Sequence, residues 1–223
     1  LEYITVMLKK FIFITLILLF HVKNSNADNY VFNFTEEEFK ELKVRKVRGA
    51  KEETTYTLGV NEKGNYLKAT AKNGGASGLG KEIVINLNVT PFINITWKIE
   101  KDLSGIDEKS KKGHDFAARV FVIKKTGLTP LSNKAINYVY SSNESVDDYW
   151  RSPYTKSSVD YVLSSTKDNF NEWVTVKANV KDHFQKVHEL DVDEITGIAI
   201  MTDTDQSNKE VISYYQNIYF SKE

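Results

Sequence analysis

A chain of 223 residues, 41% apolar and 27% charged, is sized for one buried core. Thirty basic residues balance thirty acidic ones, which leaves no electrostatic ground for a nucleic-acid partner. The absence of cysteine excludes disulfides and thiol chemistry, and twelve Tyr, twelve Phe and only three Pro suit an aromatic-rich sheet protein.

Met7 opens the stretch MLKKFIFITLILLFHVKNSNA. Lys9 and Lys10 form a basic start, Phe11–Phe20 is an apolar run, and Ser25-Asn26-Ala27 fits small-x-small cleavage. That run is too short for a hydrocarbon core of roughly 30 Å. The expectation is therefore an upstream extension and cleaved signal peptide over residues 1–27, with no stable membrane insertion afterwards. Residues 28–223 are expected to form one exported β-sandwich domain, in the periplasm or the medium. Loss of Lys9, Lys10, Lys23 and Glu2 keeps that domain near neutrality.

Tyr30–Phe34 alternates apolar with other residues and predicts a first strand. Thr35 is placed to cap a short helix with Glu36, Glu37 and Glu38 in its first turn. Thr54–Val60 and Tyr66–Ala71 flank a Gly64 turn, and Asn73–Gly78 reads as a turn-rich loop. Ile83–Leu87 and Phe92–Ile99 are further strands. In the second, Ile93, Ile95, Trp97 and Ile99 share the core face by period two. A polar loop, Glu100–His114, leads into strand Asp115–Lys124, and Lys134–Ser141 follows. Ser142–Lys156 is a long polar loop. Val159–Ser164 and Trp173–Val180 predict two strands around a loop, Lys181–His188 a short helix, and Ile195–Thr202 and Val211–Phe220 the closing strands. Many short strands without strand–helix alternation indicate an antiparallel β-sandwich or jelly roll, with a closed β-barrel as the alternative.

Four blocks, DLSGIDEKSKKGHDFAARVFV, AINYVYSS, GIAIMTDTDQS and YYQNIYF, together resemble a bacterial family catalogued as domain of unknown function 3047. The likeness runs from Phe32 to Phe220, with His114 standing where an acidic residue is expected. It implies an exported sandwich like those of carbohydrate-binding modules, and it brings no catalytic residues.

Strand periodicity suggests where chemistry could sit. Period two places Asp115, Ala117, Arg119 and Phe121 on one face, with Phe116, Ala118, Val120 and Val122 on the other. Ala135, Asn137, Val139 and Ser141 share a face, as do Gly197, Ala199, Met201 and Asp203. If these faces coincide, Ala117, Ala135, Gly197 and Ala199 leave a shallow concavity with Arg119, Asn137 and Asp203 at its rim. A mid-strand arginine needs a partner, so a self-satisfied Arg119–Asp203 ion pair is the plainer reading. Its planar donor fork also suits a carboxylate or sugar hydroxyls. Trp150 and Tyr154, beside Asp147 and Asp148, could stack on a sugar.

Asp203-Thr204-Asp205 starts like a calcium loop, but Tyr214 stands where an EF-hand needs Glu. Asp203 and Asp205 remain candidate ligands of a structural Ca2+. No other cofactor is indicated. Asp107, Glu108, Asp115, Asp203 and Asp205 could supply a carboxylate pair for glycoside hydrolysis. His114, His183 and His188 form no metal-ligand pattern, and no G-x-S-x-G elbow is present. The sequence therefore predicts a non-catalytic protein binding a saccharide or other polar small ligand through Asp115, Arg119, Asn137, Trp150, Tyr154 and Asp203. The alternatives are a glycoside hydrolase or lyase, and a structural envelope protein with a protein partner.

Overall fold

The computed structural model describes residues 29–128 and 132–223; the expected leader lies outside them. The chain begins with strand β1 (Asn29–Phe32), helix α1 (Glu36–Glu41) and strands β2 (Lys43–Lys46), β3 (Thr55–Asn61), β4 (Gly64–Ala71), β5 (Ala76–Asn86) and β6 (Phe92–Lys101). It continues through β7 (Ala118–Lys124), β8 (Lys134–Ser141), β9 (Tyr149–Arg151), β10 (Ser158–Ser165) and β11 (Val174–Asn179). Helix α2 (Val180–His188), β12 (Glu194–Asp203) and β13 (Val211–Ser221) complete it.

The strands form two sheets. Sheet A has the order β11-β6-β13-β4-β3, with β1 added to β13; sheet B runs β2-β5-β12-β7-β8-β10-β9. Both have free edges, so the architecture is an open sandwich and the closed barrel is set aside. Among the described residues every strand pair is antiparallel except β8 with β10. The sequence reading joined β10 and β11 around a loop, whereas the structure sends them to opposite sheets. Short β2 and β9 carried too few residues for their alternation to show. Strand β5 starts at Ala76, inside the stretch expected to be a loop, because Gly78 and Gly80 serve there as strand residues.

Alternation builds the core. Ile93, Ile95, Trp97 and Ile99 of β6 are fully buried against Val120 and Val122 of β7, Ile136 and Tyr138 of β8, and Ile198 and Ile200 of β12. Polar tips cross between the layers, those of Trp97 and Tyr215 among them. Trp97 Nε1 donates to Ser164 Oγ at 2.9 Å. The Tyr215 hydroxyl donates to the Met201 carbonyl at 2.7 Å and accepts from the Arg119 amide at 3.2 Å. Such partners are what permit large aromatic groups with polar tips to be sealed in a core.

The helices follow their end signals. Thr35 caps α1 by accepting from the Glu38 amide at 3.2 Å. Asn179 caps α2, whose Val180, Phe184 and Val187 turn one buried stripe inward. The outer turn of α2 places His183 flat on Tyr161, ring centroids 4.2 Å apart, and 3.2 Å from the Tyr138 hydroxyl. His188 Nε2 meets the Ala135 carbonyl at 2.9 Å. Burial lowers the pKa of both imidazoles; Lys186 adds to the effect at His183. A folded state that resists protonating these rings binds fewer protons than the unfolded chain below the ordinary histidine range, near pH 6.5. Stability should therefore fall as pH drops from about 7 to about 5. In denaturant titrations at both pH values, His183→Gln should show a smaller loss than the parent chain.

Candidate functional site

The outer face of sheet B is hollow because its registry aligns small residues. Gly78 of β5 pairs with Met201 of β12, which pairs with Arg119 of β7; the next row runs Gly80, Ala199, Phe121 and Asn137. A Cβ on Gly80 would lie 2.9 Å from the Ala199 Cβ, so that floor position is closed to side chains. Gly197 differs: a Cβ there meets nothing nearer than 3.7 Å. The result is a trough of about 730 Å³ floored by Gly78, Gly80, Gly197 and Ala199. It adjoins a polar end of about 300 Å³ that shares Val47, Phe121 and Met201 as walls.

Arg119 stands at the polar end with Arg48, His114, Tyr154, Asp203, Asp205 and Gln206. It is 4% exposed. Its Nη2 donates to Asp203 Oδ2 and approaches the Met201 sulfur at 3.6 Å, and its guanidinium carbon lies 4.9 Å from the Phe116 ring centre and 5.4 Å from that of Phe121. Nε finds no acceptor. Burial works against the charge, but Asp203, Asp160, Asp115 and Asp205 outweigh it and raise the Arg119 pKa. Burial pushes the Asp203 carboxyl up and Arg119 pulls it back, with Asp115 and Asp205 adding to the rise.

The loop before β7 closes over one half of the face. Buried Glu108 accepts from the Ser141 hydroxyl, from the Ser142 amide at 2.8 Å and from Asn143 Nδ2 at 3.1 Å; burial raises its pKa. At the loop's end, Asp115 accepts from the Gln206 amide at 3.1 Å and the Ser207 amide at 2.6 Å. Asp203 Oδ1 accepts from the Phe116 amide at 3.1 Å. These bonds hold residues 115–117 out of the ladder, so β7 starts at Ala118, three residues later than alternation predicts. The correction matters for facing: Phe116 lies over the outer face with Val139, Val162 and Trp150, while Ala117 enters the main core.

The structure thus brings Arg119, Tyr154 and Asp203 together at the polar end of the trough. Asp115 is beside them, but both of its oxygens are spent on the β12–β13 turn. Asn137 lies on the same face outside the trough, its amide given to Asp160 Oδ1 at 2.7 Å. Trp150 is also outside, packed on Phe116 with ring centroids 6.3 Å apart, because the covering loop separates it from the trough. Asp203, Asp205 and Asp115 present carboxylate oxygens within 4.8 Å of one another. His114, Asp160, Arg48 and Gln206 were missed from sequence. Asp160 had a readable signal, since it is a lone acid in an apolar strand and registers opposite Asn137. It holds His114 Nε2 at 2.8 Å.

A family described as a protein of unknown function (DUF3047) matches residues 40–219. No curated protein sequence matches the chain. A family 30 carbohydrate-binding module of a Clostridium thermocellum cellulosomal cellulase is similar in structure at a TM-score of 0.50, with 9% identity, over 88% of this chain and 98% of that one. A family 11 module from the same organism, solved with a beta-1,3-1,4-mixed-linked tetrasaccharide, gives 0.46 at 12% identity, over 87% and 95% of the two chains. A cellulase derived from Cel12A of Rhodothermus marinus gives 0.46 at 9% identity, over 79% and 95%. At such identities the likeness is one of fold, here the sandwich shared with the family 30 module.

The Arg119–Asp203 pair generates a test. Asp203→Ala leaves a buried guanidinium without its counterion and should cost about 3–5 kcal/mol in urea denaturation. Replacing both partners, Arg119→Met with Asp203→Leu, should recover part of that loss, the Phe116 amide remaining without its acceptor.

Proposed function

The chain belongs to the DUF3047 family, and from the trough on sheet B we propose that it is an exported, non-catalytic binding protein for a saccharide or other polar small ligand. One observation carries the reading: a floor of glycine and alanine adjoins a buried guanidinium whose Nε lacks an acceptor. A floor without side chains admits a flat ring against the backbone, and half-buried Phe121 offers an aromatic wall for it. The sandwich shared with a carbohydrate-binding module supports the fold side of this reading. Export is part of it, on the strength of Lys9, Lys10, Phe11–Phe20 and Ser25–Ala27.

Catalysis is the weaker reading for a geometric reason. The oxygens of Asp115 and Asp203 are engaged by backbone amides and Arg119, which leaves Asp205, held at 2.7 Å by Gln206 Nε2, without a free carboxylate partner. A glycosidase needs two carboxyl groups available to the scissile bond. The same inventory bears on calcium. We propose that Arg119 supplies the positive charge that a cation would bring to this acidic trio. Calcium addition followed by chelation should leave the melting temperature unchanged, and a rise of several degrees would assign the trio to a metal.

Gly197 provides the direct test of the trough. Extended backbone accepts a β-branched residue, and a Cβ at Gly197 would make only ordinary van der Waals contacts, with the Lys81 carbonyl and Ile123. Gly197→Val should therefore fold with an unchanged melting temperature and lose binding of any saccharide that the parent chain retains on a glycan array. Gly80→Val, aimed at the same floor, should instead destabilise the fold. Parent and Gly197→Val proteins with identical array profiles would place the ligand elsewhere.

A further inference from the structure

One edge of the trough carries unpaired arginines that a neutral sugar does not require. Strand β2 and the two residues after it read KVRKVR, and registry places Arg45 opposite Gly78, on the trough side. Arg45 and Arg48 are both exposed, and both line the cavity walls. Among the described residues neither has a carboxylate within ion-pair distance. Some surface lysines do have one, such as Lys81 of the trough wall with Glu38. Across the polar end Lys111 sits 5.7 Å from the Tyr154 ring centre, also without an acid. Deeper in, Arg119 has a buried Nε with no acceptor. Acids line the walls too: Asp203 is paired with Arg119, while Glu82 and Asp205 have no ion-pair partner among the described residues, so the unpaired arginines lie at the β2 edge, away from the acidic trio.

We propose that the trough takes an acidic saccharide, an oligomer whose rings carry carboxylates, with its chain on the glycine floor and its carboxylates directed to Arg45 and Arg48 at the edge. The inference rests on the saccharide reading above and narrows it to one substrate class. Guanidinium groups match carboxylates in shape as well as charge, through paired N–H donors. Two arginines left without acids at the edge of a hollow are better explained by a ligand anion than by sheet stability, to which exposed charges add little.

Isothermal titration of the full chain with uronate oligosaccharides, length-matched neutral glucans and dextran sulfate separates the outcomes. The expected result is uronate binding at least about tenfold tighter than neutral binding, weakening as salt is raised. Arg48→Ala and Arg45→Ala should each weaken uronate binding several-fold at unchanged melting temperature, and Gly197→Val should abolish it. Equal binding of neutral glucans, indifferent to Arg48→Ala, would overturn this inference and leave the saccharide reading standing. Dextran sulfate binding as well as uronate, insensitive to Gly197→Val, would reduce the effect to surface charge and overturn it. Failure of every saccharide to bind would remove both readings together.

Discussion

A guanidinium buried on the outer face of a sheet constrains almost everything near it. Arg119 cannot be left without hydrogen-bond and charge partners at that depth, since an isolated buried cation would cost several kcal/mol. Asp203 meets the need from the neighbouring strand, and the same carboxylate then captures the Phe116 amide. Phe116 is thereby drawn over the face, against the guanidinium and Trp150. Behind the sheet, the Tyr215 hydroxyl fixes the backbone of both Arg119 and Met201, so the strands carrying the ion pair are tied to the opposite layer. A surface feature of sheet B is therefore positioned by a residue of sheet A.

The hollow and the charge are linked by registry. Met201 and Arg119 are cross-strand partners, and their row continues to Gly78. A slip by one residue would turn Arg119 into the core and lift Ile198 and Ile200 onto the surface. The penalty for that is large on both counts, so the heavily apolar inner face of β12 also specifies where the polar groups of its outer face must lie.

Much of this was legible in the alternation. The inward row of β6, the hollow at Gly197 and Ala199 and the pairing of Arg119 with Asp203 follow from period two and from the needs of a buried charge, and the Thr35 cap from its side-chain acceptor. What alternation cannot report is a break in its own phase. Phe116 changed sides because three backbone amides were claimed by Asp115 and Asp203, residues distant from their targets in sequence. In β13 the shift between Gln216 and Tyr219, with Asn217 at φ 48°, moves the inward set from Tyr215 to Ile218 and Phe220. The separation of β10 from β11 depended on which sheet had room, and that information is not local. Asn137 lies on the face that alternation gives it, yet the chain between Glu108 and Asp115 divides that face and leaves it, with Trp150, on the far side.

That dividing loop has to be rigid without a disulfide, because the chain contains no cysteine. Two carboxylates take over the task. Glu108 holds one end to residues 141–143, and Asp115 holds the other to the turn after β12. Between them, Gly113 passes so close to the Asp107 backbone that a Cβ would lie 2.5 Å from its carbonyl oxygen. Hydrogen bonds from neutral donors to a buried carboxylate are stronger than ordinary ones and fix direction as well as distance. They suit a wall that must keep its shape when no ligand is present. Loop ordering completed during folding is not charged again at binding, so an exposed trough bordered by such a wall can hold a weakly hydrophobic ligand that a flexible rim would not.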